Sequence, residues 1–157
     1  MIGSRVIKSV LGVVASFAAV LAVPALANDR PVVTQPYAPR LSDIMGATQL
    51  RHFKLWYAGA EKNWPLANYE LGQIKESFGD AMTYYPGLPV SDMTTLAKPA
   101  AALDAAIRKQ DSEQFARAFR TLTAACNACH EAQGVGFIRI KVPNASPFSN
   151  QVFPPRP

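Results

Sequence analysis

The pentapeptide Cys126-Asn127-Ala128-Cys129-His130 constrains this chain more than any other feature. Two thiols separated by two residues and followed at once by an imidazole make the C-x-x-C-H pattern, which reads as an attachment site for c-type haem. The two intervening residues form about one helical turn. That sets the sulfurs at the separation of the two porphyrin vinyl groups. The imidazole then lies beneath the ring and offers a nitrogen to the iron, as proximal histidines do. The haem thereby becomes part of the covalent structure.

The same spacing has three other readings. C-x-x-C can be a redox dithiol, half of a four-thiolate zinc site, or a short structural disulfide. The first expects a βαβ setting, and no strand-rich segment adjoins the motif. The second needs further ligands, yet the chain has two Cys and two His in all, which leaves only His52. The third would be strained inside a helix.

The N-terminus points the same way. Arg5 and Lys8 precede an uncharged apolar run from Val10 to Val23, and Ala25-Leu26-Ala27 has the small-residue pattern of a cleavage site before Asn28. Residues 1–27 therefore read as a cleaved secretory signal peptide, with an apolar run shorter than the ~20 residues of a membrane span. Covalent haem attachment in bacteria takes place outside the cytoplasmic membrane, so export and C-x-x-C-H predict each other. The periplasm is the expected compartment, with no membrane span left after cleavage. Without Arg5 and Lys8 the formal charge of +5 falls to about +3, and no Lys/Arg block suggests nucleic acid. The remaining chain suffices for one domain with its own core.

Residues 28–40, with Pro31, Pro36 and Pro39, read as an extended lead. Four helical stretches are expected across 41–132. The first starts near Ser42 as N-cap and carries Ile44, Met45, Leu50, Phe53 and Trp56 before Gly59. The second opens at Asn63-Trp64-Pro65, with Pro in the first turn, and repeats apolar residues at Leu71, Ile74, Phe78 and Met82. A third lies between Ser91 and Gln110, kinked or split at Pro99. The fourth opens at Asp111-Ser112-Glu113-Gln114, a capping-box pattern, and puts Phe115, Phe119, Leu122, Cys126 and Cys129 on one face. No alternating strand pattern precedes Gly134. The prediction is an all-α, antiparallel four-helix bundle with the haem near the C-terminal end of the fourth helix. Residues 133–157 are rich in Pro, Ser and Asn but hold Phe137, Ile138, Phe148 and Phe153. They read as an irregular arm over the bundle or the haem edge, or else as a disordered end.

Four helices with a single C-x-x-C-H, Cys126 to His130, near the end of the last one resemble the class II c-type cytochromes, cytochrome c prime and its low-spin relatives. The resemblance covers roughly Leu41 to Ala132. It implies that Cys126 and Cys129 hold haem c and that His130 is the proximal ligand. It also implies that the first helix crosses the opposite haem face and supplies whatever takes the sixth position, and that the protein forms a homodimer. The first helix, through Met45, Gln49, Lys54-Leu55-Trp56, Ala58-Gly59 and Asn63-Trp64, also resembles a segment of small exported bacterial haem proteins. The chain departs from the class by running on past His130 to Pro157. It also places Arg40 five residues before Met45, where the family has an Arg four before its distal position.

Met45, Gln49, His52 and Trp56 recur at helical spacing and form one stripe on the first helix. Met45 and His52 stand about 10 Å apart along the axis, so only one can reach the iron. In an up-down bundle the end of the fourth helix faces the start of the first, which favours Met45 as sixth ligand. His52 is the alternative, and an empty position is the third reading. Gln49, Arg51 and Lys54 are candidate propionate or distal contacts. Met/His ligation suits a periplasmic one-electron carrier that serves a redox partner protein. An open site suits a haem protein that binds nitric oxide or carbon monoxide as buffer or sensor. Nothing else in the chain argues for an enzyme: a peroxidase needs a distal acid/base group, for which His52 is the one histidine left.

Overall fold

The computed structural model describes residues 37–88 and 90–156. The predicted signal peptide, 1–27, and most of the predicted lead, 28–36, lie outside the described residues. Four helices follow one another: α1 Leu41–Ala60, α2 Trp64–Tyr84, α3 Val90–Lys109 and α4 Ser112–Ala132. Among the described residues there is no strand, and no helix is long and apolar enough to cross a membrane.

Local chemistry sets the helix starts. Asn63 caps α2, its Oδ1 accepting the Leu66 N–H at 3.2 Å, and Asp111 caps α4 by accepting the Gln114 N–H at 2.9 Å. The Gln114 side chain returns to the Asp111 carboxylate rather than to its backbone N–H, so the capping box closes between side chains. These bonds, Gln114 N–H foremost, hold the Asp111 carboxyl below the usual range. Ser42 is not the cap of α1. The helix begins one residue earlier behind extended Arg40, which makes no side-chain cap and instead pairs with Asp43 at 2.9 Å. Asp43 in the first turn also suits the positive end of the helix dipole. Pro99 neither splits nor ends α3, which continues through it as one helix.

Three helices end in the same way. Lys62, Gln110 and Gly134 adopt left-handed φ values of 58°, 54° and 72°. In each case the next residue's N–H reaches back five residues to a helix carbonyl: Asn63 to Ala58, Asp111 to Ala106 and Val135 to His130. This is the Schellman stop, which satisfies carbonyls that the helix itself cannot.

Each helix packs on the next in chain order, and α4 also meets α1. The core between them centres on Leu55, Leu71, Ile74, Leu103, Phe115 and Phe119. Where α1 and α4 approach, a Cβ on Gly59 would overlap the Phe115 ring, so glycine is what lets Phe115 seat there. Trp56 stacks on Phe115 and lies tilted against Phe119. The expected core positions Leu50 and Met82 are exposed instead.

The segment after α4 is irregular but packed. Phe153 is buried against Tyr57, its carbonyl accepting the Asn63 side-chain N–H at 2.9 Å. Phe148 packs on Phe153 and lies under the Lys54 ammonium. The arm therefore connects the end of α4 to the α1–α2 corner.

Candidate functional site

Contacts between α1 and α4 run in reverse order along the two helices. Gly59 meets Phe115, Trp56 meets Phe115 and Phe119, and His52 meets Phe119 and Thr123. Toward the start of α1 and the end of α4 the helices bound a cavity of about 500 Å³, closed by the first residues of the arm. That size lies within the usual range of ligand sites. Its walls include Met45, Gln49 and His52 from α1 and Cys126, Cys129 and His130 from α4. Phe78, Leu88 and Leu96 close one side, and Val135, Ile138 and Ile140 of the arm another. Apolar side chains dominate, with Ser42, Gln49 and Gln133 supplying polar groups. At Gly46, beside Met45, an added Cβ would meet nothing within 4 Å, so α1 presents bare backbone to open space there.

Six of the eight sequence-predicted site residues thus share one cavity. Arg51 and Lys54 do not. Arg51 pairs with the buried Glu70 at 3.1 Å and lies over the Tyr69 ring, bracing α1 on α2. Lys54 turns to Phe148. Both follow from helical geometry: two and five residues from Gln49, they fall off the stripe that faces α4.

The thiols are not joined in a disulfide. Burial, reinforced by the charge of Cys129, pushes the Cys126 thiol up to about 11. Redox dithiols do the opposite, lowering a thiol at a helix N-terminus. Here the pair sits near the C-terminus of α4, where the dipole disfavours a thiolate. Among the described residues no group of three or more His, Cys, Asp or Glu is placed to hold a bare metal ion, so the zinc reading finds no ligand set.

The two imidazoles are held in opposite tautomers. His130 Nδ1 lies 2.8 Å from the Ile138 carbonyl oxygen. A carbonyl only accepts, so Nδ1 carries the proton and Nε2 of the neutral ring keeps its lone pair. His52 Nε2 lies 2.9 Å from Thr123 Oγ1, and that hydroxyl donates to the Phe119 carbonyl at 2.9 Å. His52 must therefore donate from Nε2. Only 4% exposed and tilted on Phe119, the ring has its pKa pushed down to about 4 by burial and is neutral at physiological pH.

Of the two readings of the arm, the packed one over the bundle and the cavity edge is what forms, but neither the arm residues that line the cavity nor the Asn127 side-chain bonds to Ile140 were singled out from the sequence. A signal was present: Ile138, Ile140 and Val142 alternate with Arg139 and Lys141, the period-two pattern of an extended segment with one face inward. Ile138 and Ile140 line the cavity, Val142 packs on the core, and Arg139 and Lys141 face solvent.

The residues fit a large apolar group held by two thiols and one imidazole: Cys126, Cys129, a His130 whose Nε2 carries no proton, apolar side chains and the bare backbone at Gly46 all border the same space. No family model, no curated protein and no solved structure matches this chain.

Proposed function

We propose that this protein is an exported monohaem c-type cytochrome that carries single electrons in the periplasm. Its fold is an antiparallel four-helix bundle, with haem c joined through thioethers to Cys126 and Cys129. His130 is the proximal ligand and Met45 the sixth. The observation that carries this reading is the joint placement of Cys126, Cys129, the lone pair of His130 and Met45 around one apolar cavity. The reversed order of the α1–α4 contacts supports the bundle topology.

Haem supplies a one-electron couple, which Met/His ligation keeps at high potential. The chain's own contributions are binding and exclusion of water. The protonated Cys126 thiol suits bond formation at an uncharged vinyl carbon, the walls are mostly apolar, and Ser42 and Gln49 bring polar groups to the cavity. Met45 is favoured over His52 because the His52 Nε2–H is held by Thr123, whereas among the described residues no hydrogen bond holds the Met45 side chain. The electron is passed to a periplasmic redox partner protein.

Ferrous absorption spectra with and without carbon monoxide test the reading. Low-spin iron that ignores carbon monoxide is the expected result. Avid binding by the wild type would instead assign the protein to gas binding, with the sixth position open.

A further inference from the structure

Asn127 stands between the two thiols, and the motif itself asks nothing of its side chain. In the structure that side chain makes two bonds to a single arm residue. Its Nδ2 donates to the Ile140 carbonyl at 2.8 Å, and its Oδ1 accepts the Ile140 N–H at 2.7 Å. This is the pairing a neighbouring strand would provide, supplied here by one primary amide. Ile140 lies two residues beyond Ile138, whose carbonyl accepts the His130 Nδ1–H. The stretch between His130 and Ile140 is thus fixed at both ends. At one end the Schellman stop joins Val135 N–H to the His130 carbonyl, and a further turn joins Ile138 N–H to the Val135 carbonyl. At the other end stands Asn127.

We propose that Asn127 is a positioning residue for the iron-binding imidazole. By clamping Ile140 it holds the Ile138 carbonyl against Nδ1 of His130, which fixes the tautomer, orients the ring and strengthens Nε2 as a donor. The inference rests on the haem reading above. Partners of this kind to a ligating histidine raise its basicity, and their loss costs roughly tenfold or more in metal affinity. A stronger donor favours ferric over ferrous iron, so the clamp lowers the reduction potential. The arm thereby acquires a role that the four helices alone could not supply.

The test uses the full-length haem-loaded protein, labelled with nitrogen-15 histidine, beside Asn127→Ala and Ile140→Pro. The second variant leaves Cys126 to His130 intact and removes the N–H that Asn127 accepts. In reduced wild-type protein the His130 Nδ1 proton is expected to exchange slowly with solvent. Both variants should exchange at least tenfold faster. Their midpoint potential should rise by about 59 mV for each tenfold shift in the ferric-over-ferrous preference. Unchanged exchange in both variants overturns the proposal, and faster exchange without a potential change reduces the clamp to a structural contact and equally overturns it. Should Asn127→Ala lose its helical circular dichroism, Ile140→Pro decides alone. A wild type without haem in alkaline pyridine defeats the haem reading instead. The same labelled chain then still shows whether the proton sits on Nδ1 and whether the variants move it to Nε2.

Discussion

His52 shows how one side chain can couple the cavity to pH. Its ring is neutral in the fold because burial disfavours the charged form, and its Nε2–H is satisfied by a hydroxyl that is itself donating to the Phe119 carbonyl. Neither partner has a proton to spare for a second arrangement. The folded-state pKa of about 4 lies below the ordinary 6.5, so the unfolded chain binds the extra proton first as pH falls. Stability from this residue is therefore complete above pH ~6.5 and declines down to pH ~4, by up to about 3 kcal/mol at 1.36 kcal/mol per pH unit. Urea denaturation across this range should show that slope in the wild type and its near-absence in His52→Gln. An equal slope in both would assign the pH dependence elsewhere.

At the scale of elements, the helix ends explain much of the layout. The α1–α2 and α3–α4 turns are tight because Lys62 and Gln110 accept left-handed backbone conformations that cost a side-chain-bearing residue about 1–2 kcal/mol. Lys62→Gly and Gln110→Gly should remove that strain. After allowing for the greater freedom of glycine in the unfolded chain, each should stabilise by about 0.5–1 kcal/mol in denaturant titrations. Loss of stability in either would mean that its side chain makes compensating contacts. The start of α2 at Asn63, the Asp111 cap and the apolar face of α4 were legible in the sequence, since each rests on chemistry within a few helical turns. The start of α1 was not, because Ser42 offers a cap that the chain does not use once Arg40 and Asp43 pair. For α3 the sequence left a kinked or a split helix open at Pro99, and a single helix is what forms. Whether a helix passes through proline depends on what packs around it, which local pattern cannot show.

Over the whole molecule, the stripe Met45, Gln49 and His52 was legible because helical spacing alone decides which residues share a face, and the same rule should have removed Arg51 and Lys54. The arm was half legible. Its composition argued against a fifth helix, but its fixed course depends on long-range bonds, from Asn127 to Ile140 and from Asn63 to Phe153. The Asn127–Ile140 bonds hold the part of the arm that lines the cavity between α1 and α4, and the Asn63–Phe153 bond ties its far end to the α1–α2 corner. Within this arrangement Met45→Ala should convert low-spin iron into a form that binds carbon monoxide readily, without unfolding the bundle, since Met45 is only partly buried at the cavity wall. An unchanged ferrous spectrum would remove Met45 from the iron.

The proposed function depends above all on covalent haem at Cys126 and Cys129. The most direct measurement is haem stoichiometry in alkaline pyridine after the full-length chain, expressed with export and haem-attachment machinery, has been unfolded and extracted with acidified acetone. One haem per chain that stays with the polypeptide is expected, and none in a Cys126→Ala/Cys129→Ala variant. Haem that extracts completely from the wild type, or no haem at all, would contradict it.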